Sequence, residues 1–346
     1  MRRQISRSFR GPAQALLFSR PTIRNAGRAF LLNRTLEHPD SHDLAAMVRS
    51  FGFTAQTMQD NADPRITTSI LLQTDPVSLT LGSRLFSATH GDAVEQLRGA
   101  LLAKDVRDFS FGFHHASNVF GRLYDFLIAW TSLRSLSLTY FDLQLTYPGL
   151  VSPIPPPPTY ELTQLSLIEV YIKPLPPLSL SWFLGATTTS LRSLKLHDVT
   201  FNDCPSEVFP LLPSHLATLA HLSLHNLSWI IPRGDPVPAY YPCRADTILP
   251  LCTALRSLSL QDAYYDRVLD HTVADLALPP TLTDLEMVGK RLFCKVGLEH
   301  VVETLPARSP LARVVLVGPT ANQTGVPEVV LACQRKGLSI RTRFAP

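Results

Sequence analysis

The most regular feature of the chain is the pattern L-x-x-L-x-L, which returns roughly once every 28 residues. From Val106 onward, the intervals between successive starts are 27, 29, 29, 28, 36, 27 and 29 residues. The seven clearest copies are Leu133-Leu136-Leu138, Leu162-Leu165-Leu167, Leu191-Leu194-Leu196, Leu219-Leu222-Leu224, Leu255-Leu258-Leu260, Leu282-Leu285-Met287 and Leu311-Val314-Leu316. Val106-Phe109-Phe111 fits upstream, Leu79-Leu81 fits more weakly, and Leu338-Ile340 is a shortened last copy. This regularity predicts one structural unit per repeat.

Each copy predicts a short β-strand with one buried face. Alternate side chains of a strand point to the same side, so the fourth and sixth positions of a copy go inward together. The first leucine reaches the same core layer from the preceding loop. Burial of three such side chains contributes on the order of 5–9 kcal/mol per repeat, before the entropy of ordering the chain is subtracted. A single repeat cannot bury its own leucines, so neighbouring repeats have to stack.

The repeat resembles that of the leucine-rich-repeat superfamily, in its long, ribonuclease-inhibitor-like form. The resemblance implies an α/β fold, a right-handed horseshoe-shaped solenoid with a parallel concave sheet and with helices and irregular loops on the convex side. The chain departs from the family at the ninth position, where Asn or Cys is common. That position holds Phe141, Val170, Val199, Leu227, Ala263 and Lys290. We therefore expect apolar packing, instead of an asparagine ladder, at most of the turns.

The segments between the strands predict a mixture of helices and irregular loops. Apolar residues with helical spacing precede the strands that start at Val106, Leu133 and Leu311. Two proline-rich insertions, residues 147–160 and 230–246, interrupt the repeat. We interpret both insertions as surface loops, and a ligand site is the alternative.

Residues 1–60 are predicted to form an N-terminal helical cap, and residues 61–346 a domain of about eight to nine leucine-rich repeats. Apolar residues with helical spacing predict a helix over residues 41–51. Two segments, Ile5–Phe18 and Asn25–Leu36, resemble the junction between an F-box and its repeats in the leucine-rich F-box proteins of fungi. The Leu-Pro opening and the first helices of an F-box are absent, so the resemblance implies a truncated or missing box.

The first 36 residues allow two other interpretations. They contain eight arginines and no acidic residue, which is also typical of a mitochondrial presequence. A basic face for nucleic acid or an anionic membrane is the third interpretation. Six apolar residues lie in two clusters that predict burial, and this favours the structural cap: Leu16, Leu17 and Phe18, and Phe30, Leu31 and Leu32.

Composition limits the class of protein. The chain has 346 residues, 45% of them hydrophobic and 17% charged, which predicts a sizeable core and excludes wholesale disorder. A net charge of +4 does not indicate a dedicated nucleic-acid binder, and no apolar run is long enough to span a bilayer. The five cysteines are scattered without a C-x-x-C pair, as expected of buried thiols in a reducing compartment. We expect a monomer in the cytoplasm or nucleus, with mitochondria as the alternative.

No sequence motif indicates an enzyme, and we predict no cofactor, no catalytic residue and no metal. One pair of histidines nevertheless makes a metal site an alternative to consider. His197 and His225 occupy the seventh position of consecutive repeats, so adjacent strands would bring them about 5 Å apart. Acidic residues at the eighth position make a metal site conceivable there. An exposed polar strip on a binding sheet is the interpretation that we favour.

The concave face is the predicted site of a protein partner. Its fifth positions are mostly small, which predicts a shallow floor, and its tenth positions supply aromatic anchors. The candidate residues are Tyr140, Glu169, Tyr171, Lys195, His197, Asp198, His225, Asn226, Gln261, Asp262 and Tyr264. We expect non-catalytic protein–protein recognition. By resemblance, the chain would be the substrate-recognition part of an F-box-type ubiquitin ligase subunit, with a ligase adaptor as a second partner. The alternative is a mitochondrial repeat scaffold or assembly factor.

Overall fold

The chain forms two compact units, Met1–Glu161 (unit 1) and Leu162–Pro346 (unit 2). The computed structural model describes residues 7–23, 25–53, 63–86, 91–112, 120–142, 156–172, 180–202, 213–225, 227–230, 248–261, 278–288, 298–306, 308–318 and 326–343. None of the helices in these ranges is both long enough and apolar enough to cross a membrane.

Unit 1 is a parallel sheet whose strands are neighbours in chain order. Its strands are β1 (Thr22–Ile23), β2 (Ser50–Phe53), β3 (Ser78–Gly82), β4 (Asp108–Gly112) and β5 (Ser135–Asp142). Its helices are α1 (Arg7–Ser19), α2 (Ala26–Leu36), α3 (His42–Met47), α4 (Pro64–Gln73), α5 (Gly91–Leu102) and α6 (Phe120–Ala129). Short 3-10 turns lie at Pro39–Ser41 and Ser83–Phe86. Each pair of consecutive strands is therefore connected by at least one helix.

Unit 2 repeats the same plan in its described residues. Its strands are β6 (Gln164–Ile172), β7 (Ser193–His197), β8 (Thr200–Asn202), β9 (His221–His225), β10 (Ser228–Ile230), β11 (Ser257–Gln261), β12 (Asp284–Val288), β13 (Arg313–Val317) and β14 (Ser339–Arg343). Its helices are α7 (Leu180–Leu184), α8 (Pro213–Thr218), α9 (Leu298–Glu303) and α10 (Val326–Arg335), and a 3-10 turn lies at Leu249–Leu251.

The main ladder of unit 2 is also parallel, in the order β6-β7-β9-β11-β12-β13-β14. Strands β8 and β10 lie outside it, since β8 pairs with the end of β6 and β10 pairs with β8. The α/β class predicted from the repeat is confirmed. Both units, all-parallel open sheets with helices between strands, are compatible with an α/β solenoid.

The inward-pointing leucines form continuous rows across the strands. Leu165, Leu194, Leu222, Leu258 and Leu285 are register partners from β6 to β12, and each is 2% exposed or less. The residues between them are partly exposed in most strands. The predicted alternation of buried and outward side chains is therefore confirmed.

Aromatic residues take the place of leucine in part of the unit 1 core. Phe109 of β4 packs edge-on against Trp130, with ring centroids 4.9 Å apart, and Trp130 stacks on Phe126 of α6 at 5.4 Å. The indole N–H of Trp130 donates a hydrogen bond of 3.1 Å to the backbone oxygen of Leu101 in α5. This bond satisfies the one polar atom of a buried tryptophan. The predicted helices before the Val106, Leu133 and Leu311 strands are present as α5, α6 and α9.

Hydroxyl groups connect neighbouring repeats where the strands begin. Ser190, Thr218 and Thr281 each precede the first leucine of a repeat. Each donates a hydrogen bond of 2.8 Å to the backbone oxygen of the corresponding leucine one repeat earlier: Leu162, Leu191 and Leu255. Buried carbonyls need such partners, and here side-chain hydroxyls supply them.

The opposite ends of the strands turn without an asparagine ladder. Val170, Val199 and Leu227 fill the ninth position and are buried, as predicted. The equivalents at 141, 263 and 290 lie outside the residues whose side chains are described.

The eighth position of the repeat has a left-handed backbone. Tyr140, Glu169 and Asp198 have φ angles of 57°, 55° and 53°, and Gly318 at the same position has a φ of 88°. This conformation is costly for residues with a Cβ atom and routine for glycine. Since it recurs at one repeat position, we attribute it to a bend in the chain that lies within β5 and β6 and directly after β7 and β13.

The N-terminal prediction is wrong in two respects. The helix predicted over 41–51 ends at Met47, and Ser50–Phe53 is strand β2. Residues 48, 51 and 53 are the first, fourth and sixth residues of one more repeat, and Phe51 pairs with Leu79 in β3. Strands β1 and β2 therefore lie inside the stretch predicted to be a helical cap.

The second error concerns burial. Of the six residues predicted to be buried, four are exposed and two, Phe18 and Leu32, are partly exposed; the exposed ones are Leu16, Leu17, Phe30 and Leu31. In α2 the core-facing side is already occupied by Ala29 and Leu36, which are buried. Helix residues follow each other by about 100°, so Phe30 and Leu31 are turned away from that side.

Candidate functional site

The face of the unit 2 sheet opposite the buried leucines carries a set of polar side chains that are hydrogen-bonded to one another. We call this face the open face and define it by two rows of register partners. The central row is Ser166, Lys195, Ser223, Ser259 and Glu286, on β6, β7, β9, β11 and β12. The adjacent row, two residues further along the same strands, is Ile168, His197, His225, Gln261 and Val288.

Unit 1 presents a different surface at the equivalent positions. Its central row is Thr22, Gly52, Thr80, Ser110 and Ser137. These small side chains make a shallow floor, as predicted for the fifth position. The longer side chains of the central row belong to unit 2, so we place the candidate site there.

Five side chains of the open face form a continuous hydrogen-bonded series, which we call the polar chain: His197, Ser223, His225, Ser259 and Glu286. His197 Nε2 lies 2.7 Å from Ser223 Oγ, and His225 Nε2 lies 2.8 Å from Ser259 Oγ. Ser259 Oγ donates to Glu286 Oε2 at 2.9 Å. A longer contact of 3.4 Å joins Ser223 Oγ to His225 Nε2. The polar chain thus crosses four neighbouring strands of the main ladder.

The repeat geometry explains why these groups meet. His197 and His225 are direct register partners, and their rings stack with centroids 3.8 Å apart and an interplanar angle of 14°. Each imidazole reaches a serine on the next strand that lies two residues before the position directly opposite the histidine. Strand β9 supplies both kinds of residue, because Ser223 lies two residues before His225.

The hydrogen-bond directions follow from the carboxylate at the end of the polar chain. An ionised Glu286 can only accept hydrogen bonds, so the hydroxyl of Ser259 is the donor in this bond. The oxygen of Ser259 then accepts from His225, which requires the proton of neutral His225 to be on Nε2. One charged group therefore sets the tautomer of a histidine two strands away.

Burial keeps both histidines neutral. The pKa of His197 is lowered to about 3, mainly by burial and in smaller part by repulsion from the positive charges that His225 and Lys195 can carry. Burial also lowers the pKa of His225 to about 4, with Glu286 and Asp198 opposing the change and Lys195 adding to it. At neutral pH the open face therefore presents two uncharged imidazoles beside the ammonium group of Lys195.

The arrangement does not suit a metal ion. The two rings are nearly parallel and both Nε2 atoms point toward serine hydroxyls, whereas metal ligands converge on one point. No group of three or more His, Cys, Asp or Glu side chains in the described part of the chain could hold a metal.

Only some of the predicted site residues lie on the open face. Lys195, His197, His225 and Gln261 do, and all four are partly exposed. Their strands bring His197 and His225 together as the repeat spacing predicts.

Glu169, within β6, and Asp198, directly after β7, are instead bend residues with left-handed backbones. The backbone N–H of Asp198 donates to the oxygen of His225 at 2.9 Å, which is a structural role. Tyr140 has the same backbone and belongs to unit 1, so it is not part of this face. Tyr171 lies beyond the bend, where β6 pairs with β8. Asn226, Asp262 and Tyr264 lie outside the described residues.

Sequence reasoning missed the roles of Ser223, Ser259 and Glu286. These residues were identified as floor positions, but not as hydrogen-bond partners of the histidines. The available signal was the offset between the fifth and seventh positions, which lets a long side chain reach a short one on the next strand. Glu286 is the one acidic residue among the fifth positions of the repeats from Val106 to Leu282, and this too was readable.

Comparison with known proteins leaves this site to be interpreted on its geometry alone. The chain matches no model of a protein family, and a search of curated proteins also finds no match.

Proposed function

We propose that the open face of unit 2 binds a protein partner and that the polar chain is the fixed centre of this contact. The observation that carries the proposal is the series of hydrogen bonds from His197 to Glu286. Side chains that are already held by one another lose little freedom on binding, and this lowers the entropic cost of association. Neutral imidazoles are also cheaper to desolvate than charged groups.

The same geometry favours recognition over catalysis. A nucleophilic serine needs a base that removes its proton, but the proton of Ser259 is directed at Glu286, and His225 is a donor in this pair. Backbone N–H groups of interior strands bond to neighbouring strands, so they do not provide an oxyanion hole. We therefore propose a non-catalytic module.

We further propose that both units are leucine-rich repeats and that the partner is a ubiquitin-ligase substrate. Support for the ligase comes from the F-box-like lead-in at Ile5–Phe18 and Asn25–Leu36. The alternative is a mitochondrial scaffold. It is favoured by the exposure of Leu16 and Leu17 on α1, an arrangement typical of an amphipathic targeting helix.

Site-specific photo-crosslinking tests the recognition proposal. A photoreactive amino acid is placed at Lys195 or Gln261 on the open face, and at Leu331 on α10 as the control, because Leu331 is an exposed residue of the same unit. We expect one shared crosslinked protein from the first two positions and not from the third. Purified partner should then bind Lys195→Glu at least about tenfold more weakly than wild type. Equal crosslinking from all three positions would refute the proposal.

A co-purification experiment separates the ligase from the scaffold. Recovery of a ubiquitin-ligase adaptor with the full chain supports the ligase, and its absence removes that part while leaving recognition by the open face intact. Cleavage within residues 1–36 of the cellular protein supports the mitochondrial alternative.

A further inference from the structure

Helices α1 and α2 carry the clearest unpartnered apolar surface of unit 1. Leu16 is 80% exposed and Leu17 is 72% exposed, the two largest values among the exposed large hydrophobic residues of the described chain. Phe30 and Leu31 on α2 are also more than half exposed. Each of the two helices thus presents two adjacent large hydrophobic side chains to solvent, and such exposed pairs indicate an interaction site.

The exposed side of α2 is fixed by the fold. Asn25 caps the helix by accepting a hydrogen bond of 3.0 Å from the N–H of Arg28. Ala29 and Leu36 hold the opposite side in the core. With about 100° between successive residues, Phe30, Arg34 and Leu31 follow one another around the outward side. The helix cannot bury these residues in unit 1 without exposing its present core contacts.

Positive charge accompanies the apolar residues. Arg20, Arg28 and Arg34 are exposed, and none of them makes an ion pair with a described residue. The first 36 residues contain eight arginines and no carboxylate. The first acidic residue, Glu37, lies at the C-terminal end of α2 and accepts a hydrogen bond of 2.7 Å from Asn33. The exposed apolar side chains of α1 and α2 are therefore accompanied by arginines that no described carboxylate pairs with directly, although Asp40 and Asp43 are exposed on the neighbouring turn and α3.

We propose that α1 and α2 dock on the surface of an anionic phospholipid bilayer. The leucines and Phe30 would enter the boundary between headgroups and acyl chains, and the arginines would reach the phosphates with their long side chains. A bilayer suits these residues better than a folded protein, because they protrude from the outer sides of helices and a deformable surface can accept protruding side chains. This inference is independent of partner binding by the open face.

Co-sedimentation of the full chain with vesicles tests the proposal. Vesicles of phosphatidylcholine are compared with vesicles that contain about 30% phosphatidylserine. We expect binding to the second kind only, and weaker binding as salt is raised. The double variant Leu16→Asp/Leu17→Asp should lower the partition coefficient at least about tenfold, since it replaces two inserted side chains with carboxylates. The double variant Phe30→Asp/Leu31→Asp should act in the same direction.

Two further variants locate the site. Leu331→Asp is the matched control, because Leu331 is 55% exposed on a helix of unit 2, and it should bind like wild type. Arg20→Gln/Arg28→Gln/Arg34→Gln should lose at least about tenfold on anionic vesicles. The proposal is overturned if the wild type binds neither vesicle, binds both equally, or is weakened as much by Leu331→Asp as by the α1 variant. Capture by an acidic protein without vesicle binding would overturn it as well.

Discussion

Replacement of Glu169 by glycine should stabilise unit 2, although it removes a side chain from within strand β6. Glu169 has a φ of 55°, in the left-handed region, which lowers the stability of the folded state by about 1–2 kcal/mol for a residue with a Cβ atom. Glycine avoids that cost but loses about 0.5–1 kcal/mol through the greater freedom of the unfolded chain. The difference is a gain of about 0.5–1 kcal/mol. For a unit of this size it corresponds to a rise in Tm of about 1–4 °C.

Calorimetry or urea unfolding followed by circular dichroism measures this change. The matched control is Lys195→Gly, in the middle of β7. Here glycine has no strain to relieve, and we expect a loss of about 1 kcal/mol. Asp198→Gly should gain less than Glu169→Gly, because aspartate tolerates the left-handed region better than glutamate does. If Glu169→Gly and Lys195→Gly destabilise the protein equally, strain at the eighth position is not a property of the repeat.

Three other expectations follow from the core and the polar chain. Leu222→Asp should cost several kcal/mol in urea unfolding, since it places a carboxylate in the leucine core, whereas Ser223→Asp on the open face should cost about 1 kcal/mol or less. Stability should fall as the pH drops from about 6.5 toward 4, because the unfolded histidines take up protons while His197 and His225 resist protonation in the fold, with pKa values of about 3 and 4. The variant His197→Gln/His225→Gln should show a flatter pH dependence of Tm, and an unchanged slope would contradict this assignment. Trp130→Phe should cost about 1 kcal/mol in urea unfolding, since it removes one of the two hydrogen bonds that the backbone oxygen of Leu101 accepts and leaves the one from the N–H of Lys104, and no loss would contradict the role of the indole bond.

The sequence predicted the ladder well, because burial and strand periodicity depend on the same residues. A leucine at the fourth and sixth positions has one favourable direction, toward the core, so register and alternation follow from spacing alone. The first repeats were missed, because apolar residues before Phe51 also have helical spacing, and only pairing with β3 decides between helix and strand. Burial of Leu16 and Leu17 was also mispredicted, since hydrophobicity does not show which side of a helix the core will use.

The candidate site was predictable only in part. The neighbouring placement of His197 and His225 needs nothing beyond the repeat spacing. The hydrogen bonds to Ser223 and Ser259 depend on side-chain direction within each strand, which a repeat pattern does not contain. The left-handed backbone of Glu169 was predictable, since aspartate, asparagine and glycine occupy the equivalent repeat positions at Asp198, Asn226 and Gly318.

The alignment of β9 with β11 has a consequence for how such a chain can change. Leu222 and Leu258 are separated by 36 residues, the longest interval of the series, yet they are paired in the same register as their neighbours. The longer return segment therefore leaves the register of the two strands unchanged. Return segments can lengthen or shorten during evolution while the order of side chains on the sheet is inherited unchanged.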